Sequence, residues 1–268
     1  MALSVATWNI NSVRLRIDLV LRFLREHRPD VLCLQETKAI DDAFPAKAFA
    51  EAGYHHRAIR GMKSYNGVAI LSKLPLENVG GHAWCGKDDC RHVAATLPGG
   101  IELHNFYIPA GGDVPDPAEN PKFAHKLAFL DEARDWMLRE RRPDKPMILV
   151  GDLNIAPLEH DVWSHKQLLD VVSHTPIEVE KLAAMQAAGE WVDAVRHFVP
   201  ADRKLYSWWS YRARDWEAAD RGRRLDHIWV APALKYGLRE AAILKEARSW
   251  TQPSDHVPVV VTLDTGIA

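Results

Sequence analysis

Apolar positions along the chain switch between two periods. Leu3–Asn9, "LSVATWN", alternates apolar and polar residues at the two-residue period of a strand. Beyond it the period lengthens: Leu15, Leu19, Val20, Phe23 and Leu24 share one face of a helix, which Pro29 stops. "DVLCLQE" (30–36) predicts a buried strand ending at Glu36, "FPAKAFAEAG" (44–53) a short helix closed by Gly53, and "GVAILSK" (67–73) a further strand. "RHVAATL" (91–97) and "IELHNFYIP" (101–109) flank Pro98-Gly99-Gly100, a hairpin signal. Ala110–Asn120 is rich in Gly, Pro and Asp and predicts a loop, Lys122–Arg141 a helix, and "KPMILVGDLN" (145–154) an apolar strand that ends in polar residues. Asp161–Thr175 fits neither period, Glu178–Ala188 is helical, and Lys204–Arg224 is aromatic and basic without a period, as in a loop. "LDHIWVA", "REAAIL" and "HVPVVVTL" are the last strands. Helices and strands interleave without a linker or internal repeat, which predicts one α/β domain over residues 1–268 but leaves the sheet topology open.

Composition narrows the class. The 268 residues are 47% hydrophobic and 26% charged, with a formal net charge of −2, so there is ample material for a core and only a local basic patch could attract a polyanion. Three cysteines without CxxC spacing argue against a disulfide framework or a structural zinc site, and Cys33 in "DVLCLQ" reads as a small buried hydrophobe. The N-terminus lacks the pattern of a signal peptide, and no apolar run approaches the ~20 residues of a membrane span. The expected setting is therefore intracellular and cytoplasmic, with no membrane partner.

Polar residues collect where the apolar runs begin and end. Asn9, Glu36, Tyr107, Asp152 and Asn154 close strands, while Asp226 and the pair Asp255–His256 open them. Each alone is more often a turn former, but the repetition points to side chains converging from a rigid scaffold into a cleft. Asp255 and His256 touch an apolar strand, where buried charge needs a partner. Carboxylates, amides and one histidine, without a cysteine cluster, suit a hard divalent ion such as Mg²⁺ or Mn²⁺. Such an ion commonly serves phosphate ester hydrolysis.

"LQET", "GDLN" and "SDHVPV" together resemble the endonuclease/exonuclease/phosphatase superfamily, and "NFYIP" and "RRLDHIWV" resemble its exonuclease III branch of abasic-site repair nucleases. The resemblance runs from "VATWNINSVR" to "SDHVPVVV". It implies a four-layer α/β sandwich like that of deoxyribonuclease I, with two stacked, mostly antiparallel sheets flanked by helices. It implies hydrolysis 5′ to abasic sites in duplex DNA and trimming of 3′ ends, with magnesium as cofactor, by a monomer working on the nucleoid. Glu36 would be the main metal ligand, with Asn11 and Asp255 beside the metal directly or through water. Asp152 would orient or deprotonate the attacking water, and Asn154 would help place it. Tyr107 would serve the scissile phosphate or the leaving oxygen. His256 would donate to the phosphate with its tautomer set by Asp226, and Asn9 would support the group. Another phosphoesterase of the same fold, including a non-specific deoxyribonuclease, is the alternative. Tyr107 speaks against it, since deoxyribonuclease I and its closer relatives place a histidine there. A catalytically dead DNA-binding protein is a third reading, opposed by the presence of Glu36, Asp152 and His256.

Binding DNA needs local cations. Arg57, Arg60 and Lys63 surround "IRGMKSYNG", and Lys122 follows the Ala110–Asn120 loop. Arg212, Arg214, Arg221, Arg223 and Arg224 interleave with Trp208, Trp209, Tyr211 and Trp216, a mixture that can grip a backbone and stack on exposed sugars or bases. By resemblance, Trp208 and Leu225 belong to the pocket for a base-less sugar. Arg223 stands at a third pocket position that is usually apolar, and Ala110 stands where relatives carry Asn or Gln. Both departures bear on specificity.

Overall fold

The computed structural model describes residues 2–140 and 144–266. These described residues form fourteen strands in chain order: β1 (Ala2–Asn9), β2 (Val31–Gln35), β3 (His56–Arg60), β4 (Val68–Ser72), β5 (Glu77–Gly80), β6 (His92–Leu97), β7 (Ile101–Tyr107), β8 (Met147–Asp152), β9 (Val192–Asp193), β10 (Trp208–Trp209), β11 (Gly222–Arg223), β12 (Asp226–Val230), β13 (Leu238–Ile243) and β14 (Val259–Asp264). One six-stranded sheet runs β13-β14-β1-β2-β4-β3, a second runs β5-β6-β7-β8-β12-β9, and β10-β11 is a small ribbon. Among the described residues only β1–β2 and β7–β8 pair in parallel, so both sheets are mostly antiparallel, as expected.

Strand alternation builds the layers. Leu3 and Val5 of β1, Val31 and Cys33 of β2, Ile148 and Val150 of β8 and Val259 and Val261 of β14 all point into one core between the sheets. The intervening residues Ala6, Trp8, Leu32 and Leu34 face outward, where they meet Val20, Phe23 and Leu24 of helix α1 (Ile17–His27) and Phe49 of α2 (Ala46–Glu51). On the far side Phe106, Leu149 and Trp229 pack against Phe129, Leu130 and Ala133 of α3 (Pro121–Glu140). The result is helix, sheet, sheet, helix. Polar residues enter the central core at one end: Gln35 Nε2 donates to Thr7 Oγ1 at 2.9 Å and to Asn105 Oδ1 at 2.7 Å, which ties the two sheets together just below the strand ends that carry Glu36 and Tyr107.

Several expectations shift by a few residues. The first helix starts at Ile17, and Leu15 lies before it with 60% of its surface exposed, because the chain at Asn11 and Ser12 still turns through positive φ. The expected Lys122–Arg141 helix is α3, and Arg141 lies outside the described residues. The Lys204–Arg224 stretch is not all loop: it holds the β10–β11 ribbon and a one-turn helix, Trp216–Ala219. Two-residue strands are too short to display a period. All three cysteines are free, and Cys33 is buried as anticipated. Among the described residues, no helix is long and apolar enough to cross a membrane.

Candidate active site

The strand ends that the sequence singles out converge. Asn9, at the end of β1, donates from Nδ2 to Glu36 Oε1 and to Asp152 Oδ2, both at 2.9 Å, and so joins the two sheets. Tyr107, at the end of β7, donates its hydroxyl to Glu36 Oε1 at 2.8 Å. Asn154 Nδ2 reaches Asp152 Oδ2 at 3.1 Å, and its backbone N–H bonds Asp152 Oδ1 at 2.9 Å. β8 and β12 pair so that Asp152 stands opposite Asp226. His256 Nδ1 lies 2.8 Å from Asp226 Oδ2, and its Nε2 lies 3.7 Å from Asp152 Oδ2. Asn11, Glu36 and Asn154 all take positive φ, an uncommon conformation for such residues that turns the chain sharply at the strand ends.

The ionisation states follow from burial and charge. Burial would raise the Glu36 pKa, but the Lys38 ammonium and hydrogen bonds from Asn9, Lys38 and Tyr107 outweigh it, and the net shift is downward. Asp152 is fully enclosed, and burial pushes it up to about 7 despite the attraction of His256. Burial opposes a charged His256, yet Asp226 and Asp152 together raise it to about 10, so the imidazole carries the proton between two carboxylates. Burial, then Glu36 and Asp152, hold the Tyr107 phenol protonated well above its ordinary range.

Among the described residues, two groups of side chains could hold a metal ion. Asp152, Asp226 and His256 bring ligand-type atoms within 4.8 Å of one another, but the imidazole spends Nδ1 on Asp226 and is itself the cation there. Glu36, Asn11 and Asp255 make the better hard-oxygen set. The Lys38 ammonium already lodges between Glu36 Oε2 at 2.8 Å and Asn11 Oδ1 at 2.6 Å, a cation standing where a metal would fit, and Asp255 Oδ1 lies 3.3 Å from Asn11 Nδ2.

A cleft of about 680 Å³ opens from Glu36, Asn154, Asp255 and His256 toward Trp208, Arg212, Arg221, Arg223 and Leu225. It meets, at Ala110 and Gly112, a second groove of about 400 Å³ that Tyr107, Lys87, Arg91 and Lys122 line. Four of the expected DNA-binding residues, Trp208, Arg212, Arg223 and Leu225, thus share the cleft, and Lys122 borders its continuation. Arg60 does not join them: its guanidinium bonds Asp88 and the carbonyls of His82 and His92, tying β3 to the second sheet. Lys63 is exposed and lines neither groove.

Some participants went unnoticed in the sequence. Lys38 follows Glu36 by two residues, and that adjacency was the available signal. Ser207 donates to Asp226 Oδ2 at 2.6 Å while accepting the backbone N–H groups of Leu225 and Asp226, which fixes the carboxylate. Trp208, expected in the pocket wall and as a stacking aromatic, also donates its indole N–H to Asp255 Oδ2 at 2.9 Å. No local pattern announces either contact.

The family model for the endonuclease/exonuclease/phosphatase family matches residues 6–256, which spans every residue of this cluster. The chain belongs to the endonuclease/exonuclease/phosphatase family. Among family members it is 30% identical to an exodeoxyribonuclease of Bacillus subtilis, over 98% of this chain and 100% of that one. Its fold superposes with a TM-score of 0.91 on an AP endonuclease from Archaeoglobus fulgidus, at 31% identity over 98% of this chain and 99% of the other. A 3′–5′ exonuclease (NExo) from Neisseria meningitidis gives a TM-score of 0.86 at 33% identity, over 98% and 100% of the two chains. Those likenesses agree with the four-layer architecture.

Proposed function

We propose that this chain is a divalent-metal-dependent DNA repair nuclease of the exodeoxyribonuclease III type, which hydrolyses the phosphodiester 5′ to abasic sites in duplex DNA and trims 3′ ends. The observation that carries the reading is the convergence of Glu36, Asp152, Asp226 and His256 at one end of an arginine- and tryptophan-lined cleft. The named relatives, exodeoxyribonucleases and an AP endonuclease, support it. The reading includes a single-domain monomer acting in the cytoplasm on the nucleoid.

Glu36, Asn11 and Asp255 would hold magnesium, or manganese in its place, and the ion would supply positive charge against the phosphoryl oxygens. The remaining roles fall to the chain's own groups. Asp152, with its pKa raised toward neutrality, takes the proton of the attacking water, which Asn154 helps to position. Asn9 holds the Asp152 and Glu36 carboxylates at a fixed separation. Cationic His256 donates from Nε2 to a phosphate oxygen that gains charge in the transition state, while Asp226 holds its Nδ1–H. The Tyr107 hydroxyl, kept protonated, donates to the phosphate or to the departing O3′. An abasic nucleotide has no stacking to lose, so its extrusion into the cleft costs less than flipping a paired base.

The test is incubation of the protein with a duplex carrying one abasic analogue, with Mg²⁺ or with EDTA. Incision 5′ to the lesion only with metal is expected. No incision, or equal cutting of undamaged duplex throughout, would overturn the proposal, the latter in favour of a non-specific deoxyribonuclease.

A further inference from the structure

Three consecutive carbonyls lie just past the Asp152 strand end, and each is met by a buried side chain. Lys126 Nζ donates to the Asn154 carbonyl at 2.8 Å, His227 Nε2 to that of Ile155 at 2.9 Å and His174 Nδ1 to that of Ala156 at 2.6 Å. A regular strand would satisfy such groups with neighbouring backbone, but β8 has ended and Asn154 turns through a φ of 54°. Side chains therefore hold this turn. The turn in turn sets Asp152, because the Asn154 N–H donates to Asp152 Oδ1 and its side-chain amide to Asp152 Oδ2.

Lys126 reaches furthest of the three. Its ammonium has three N–H groups and meets three acceptors: the Asn154 carbonyl, the Ala110 carbonyl at 3.2 Å and Glu178 Oε1 at 2.5 Å. Ala110 belongs to the loop after Tyr107 and borders both the cleft and the groove beside it. Among the described residues no backbone N–H reaches the carbonyl of Ala110 or of Asn154. Gly111 lets the loop pass close over the lysine stem: its φ is 92°, and a side chain there would meet Lys126 Cδ at 3.0 Å. On the far side Glu178 accepts the N–H groups of Ser173 and Thr175. One ammonium thus joins the loop after Tyr107, the turn after Asp152 and the segment that leads into the helix Pro176–Ala188.

Stability alone gives no reason for a charge here, since apolar side chains often replace a buried ion pair without loss. Burial lowers the Lys126 pKa, and Glu178 and then Asp152 pull against it. What an apolar side chain cannot do is donate to two loop carbonyls at once. Resting on the nuclease reading, we propose that Lys126 is a positioning residue for the hydrolytic step, which fixes Asn154, and through it Asp152, without touching the substrate. Its loss then registers in kcat and spares KM.

The test compares Lys126→Met with the double variant Lys126→Met/Glu178→Gln. In the double variant no charge is stranded, and the new amide oxygen still accepts from Ser173 and Thr175. Its melting temperature is expected to recover most of what the single variant loses. Its kcat on abasic duplex in Mg²⁺ is nonetheless expected to stay about 10–100-fold below the parent's, with KM within about threefold. In the protein without metal or DNA, exchange of the Asn154 amide is expected to quicken about tenfold or more, while that of Val150 in the β8 ladder keeps its rate. A parent-like kcat in the double variant overturns the inference, as does a loss carried by KM alone. So does a double variant that melts no higher than the single one with Val150 exchange equally quickened, since the pair would then serve the fold as a whole. Unchanged Asn154 exchange overturns the tether whatever the cleavage assay gives, whereas parent protein that cuts no abasic duplex sinks the nuclease reading and leaves the tether to the exchange result.

Discussion

His256 Nδ1 sits 2.8 Å from Asp226 Oδ2, and that contact aims the opposite imidazole nitrogen at Asp152. Asp226 is in turn held by Ser207 and faces Asp152 across the β8–β12 pair. Asp226→Asn keeps the shape but removes the charge that holds the imidazole protonated. The expected outcome is a fall in kcat on abasic duplex of about 10²–10⁴-fold, with DNA affinity changed by no more than a few fold. Single-turnover cleavage and fluorescence anisotropy separate the two quantities, and an undiminished kcat would remove His256 from the mechanism.

Asp152 makes a sharper test, because it touches the network without contributing attraction for DNA. Asp152→Ala is expected to lower turnover by orders of magnitude while binding survives or tightens, since a negative charge leaves the phosphate site. Purified variant that cuts abasic duplex at the parent's rate would falsify the base assignment.

For Glu36 the informative axis is metal concentration. Its carboxylate and Asn11 already enclose the Lys38 ammonium, so the site attracts cations. Glu36→Ala is expected to raise the Mg²⁺ concentration for half-maximal activity by about 10–100-fold or more, in line with weakened metal sites elsewhere. A titration that superimposes on the parent's would move the metal to another set of ligands.

How much of this was legible in the sequence depends on distance along the chain. The central strands and long helices declare themselves through their periods, and "QET", "GDLN" and "SDH" mark their polar ends. Edge strands do not: β5 is exposed at all four positions and β9 has two residues, so neither carries an apolar alternation. The order of strands within the second sheet depends on pairings such as Tyr107 with Asp152, 45 positions apart in number, and no local window contains them. Arg60 illustrates the same limit. It looks like a cation free for DNA, but its neighbours Asp88 and His92 arrive from distant segments and consume it.

The buried Lys126–Glu178 pair was equally silent, because a lysine on a helix normally reads as solvated. Both side chains are fully enclosed, 2.5 Å apart, and Lys126 also donates to the Asn154 carbonyl at 2.8 Å, directly behind the Asp152–Asn154 pair. Lys126→Met would strand the Glu178 charge. A loss of about 3–5 kcal/mol in unfolding free energy is expected by urea titration; a loss under about 1 kcal/mol would mean that Glu178 takes up a proton or water at little cost.

His227 links the fold to pH. It is fully buried, its Nε2 bonds the Ile155 carbonyl at 2.9 Å, and its Nδ1 has no partner. Burial, then the neighbouring Arg224 charge, lowers its pKa from 6.5 to about 4, although Asp193 pulls the other way. In the unfolded chain the ring titrates near 6.5, so between that pH and about 4 the unfolded state binds more protons than the native one. The stabilisation is therefore complete above pH 6.5 and is lost as pH falls through the folded value, by about 3 kcal/mol for this residue alone. His92, also buried and depressed, adds to the slope in the same direction. His227→Gln can still donate to Ile155 but cannot titrate, so its melting temperature is expected to decline less steeply than the parent's between pH 6.5 and 4. Parallel declines in the two proteins would mean that His227 stays accessible to protons at no cost, and the acid sensitivity would then belong to other groups.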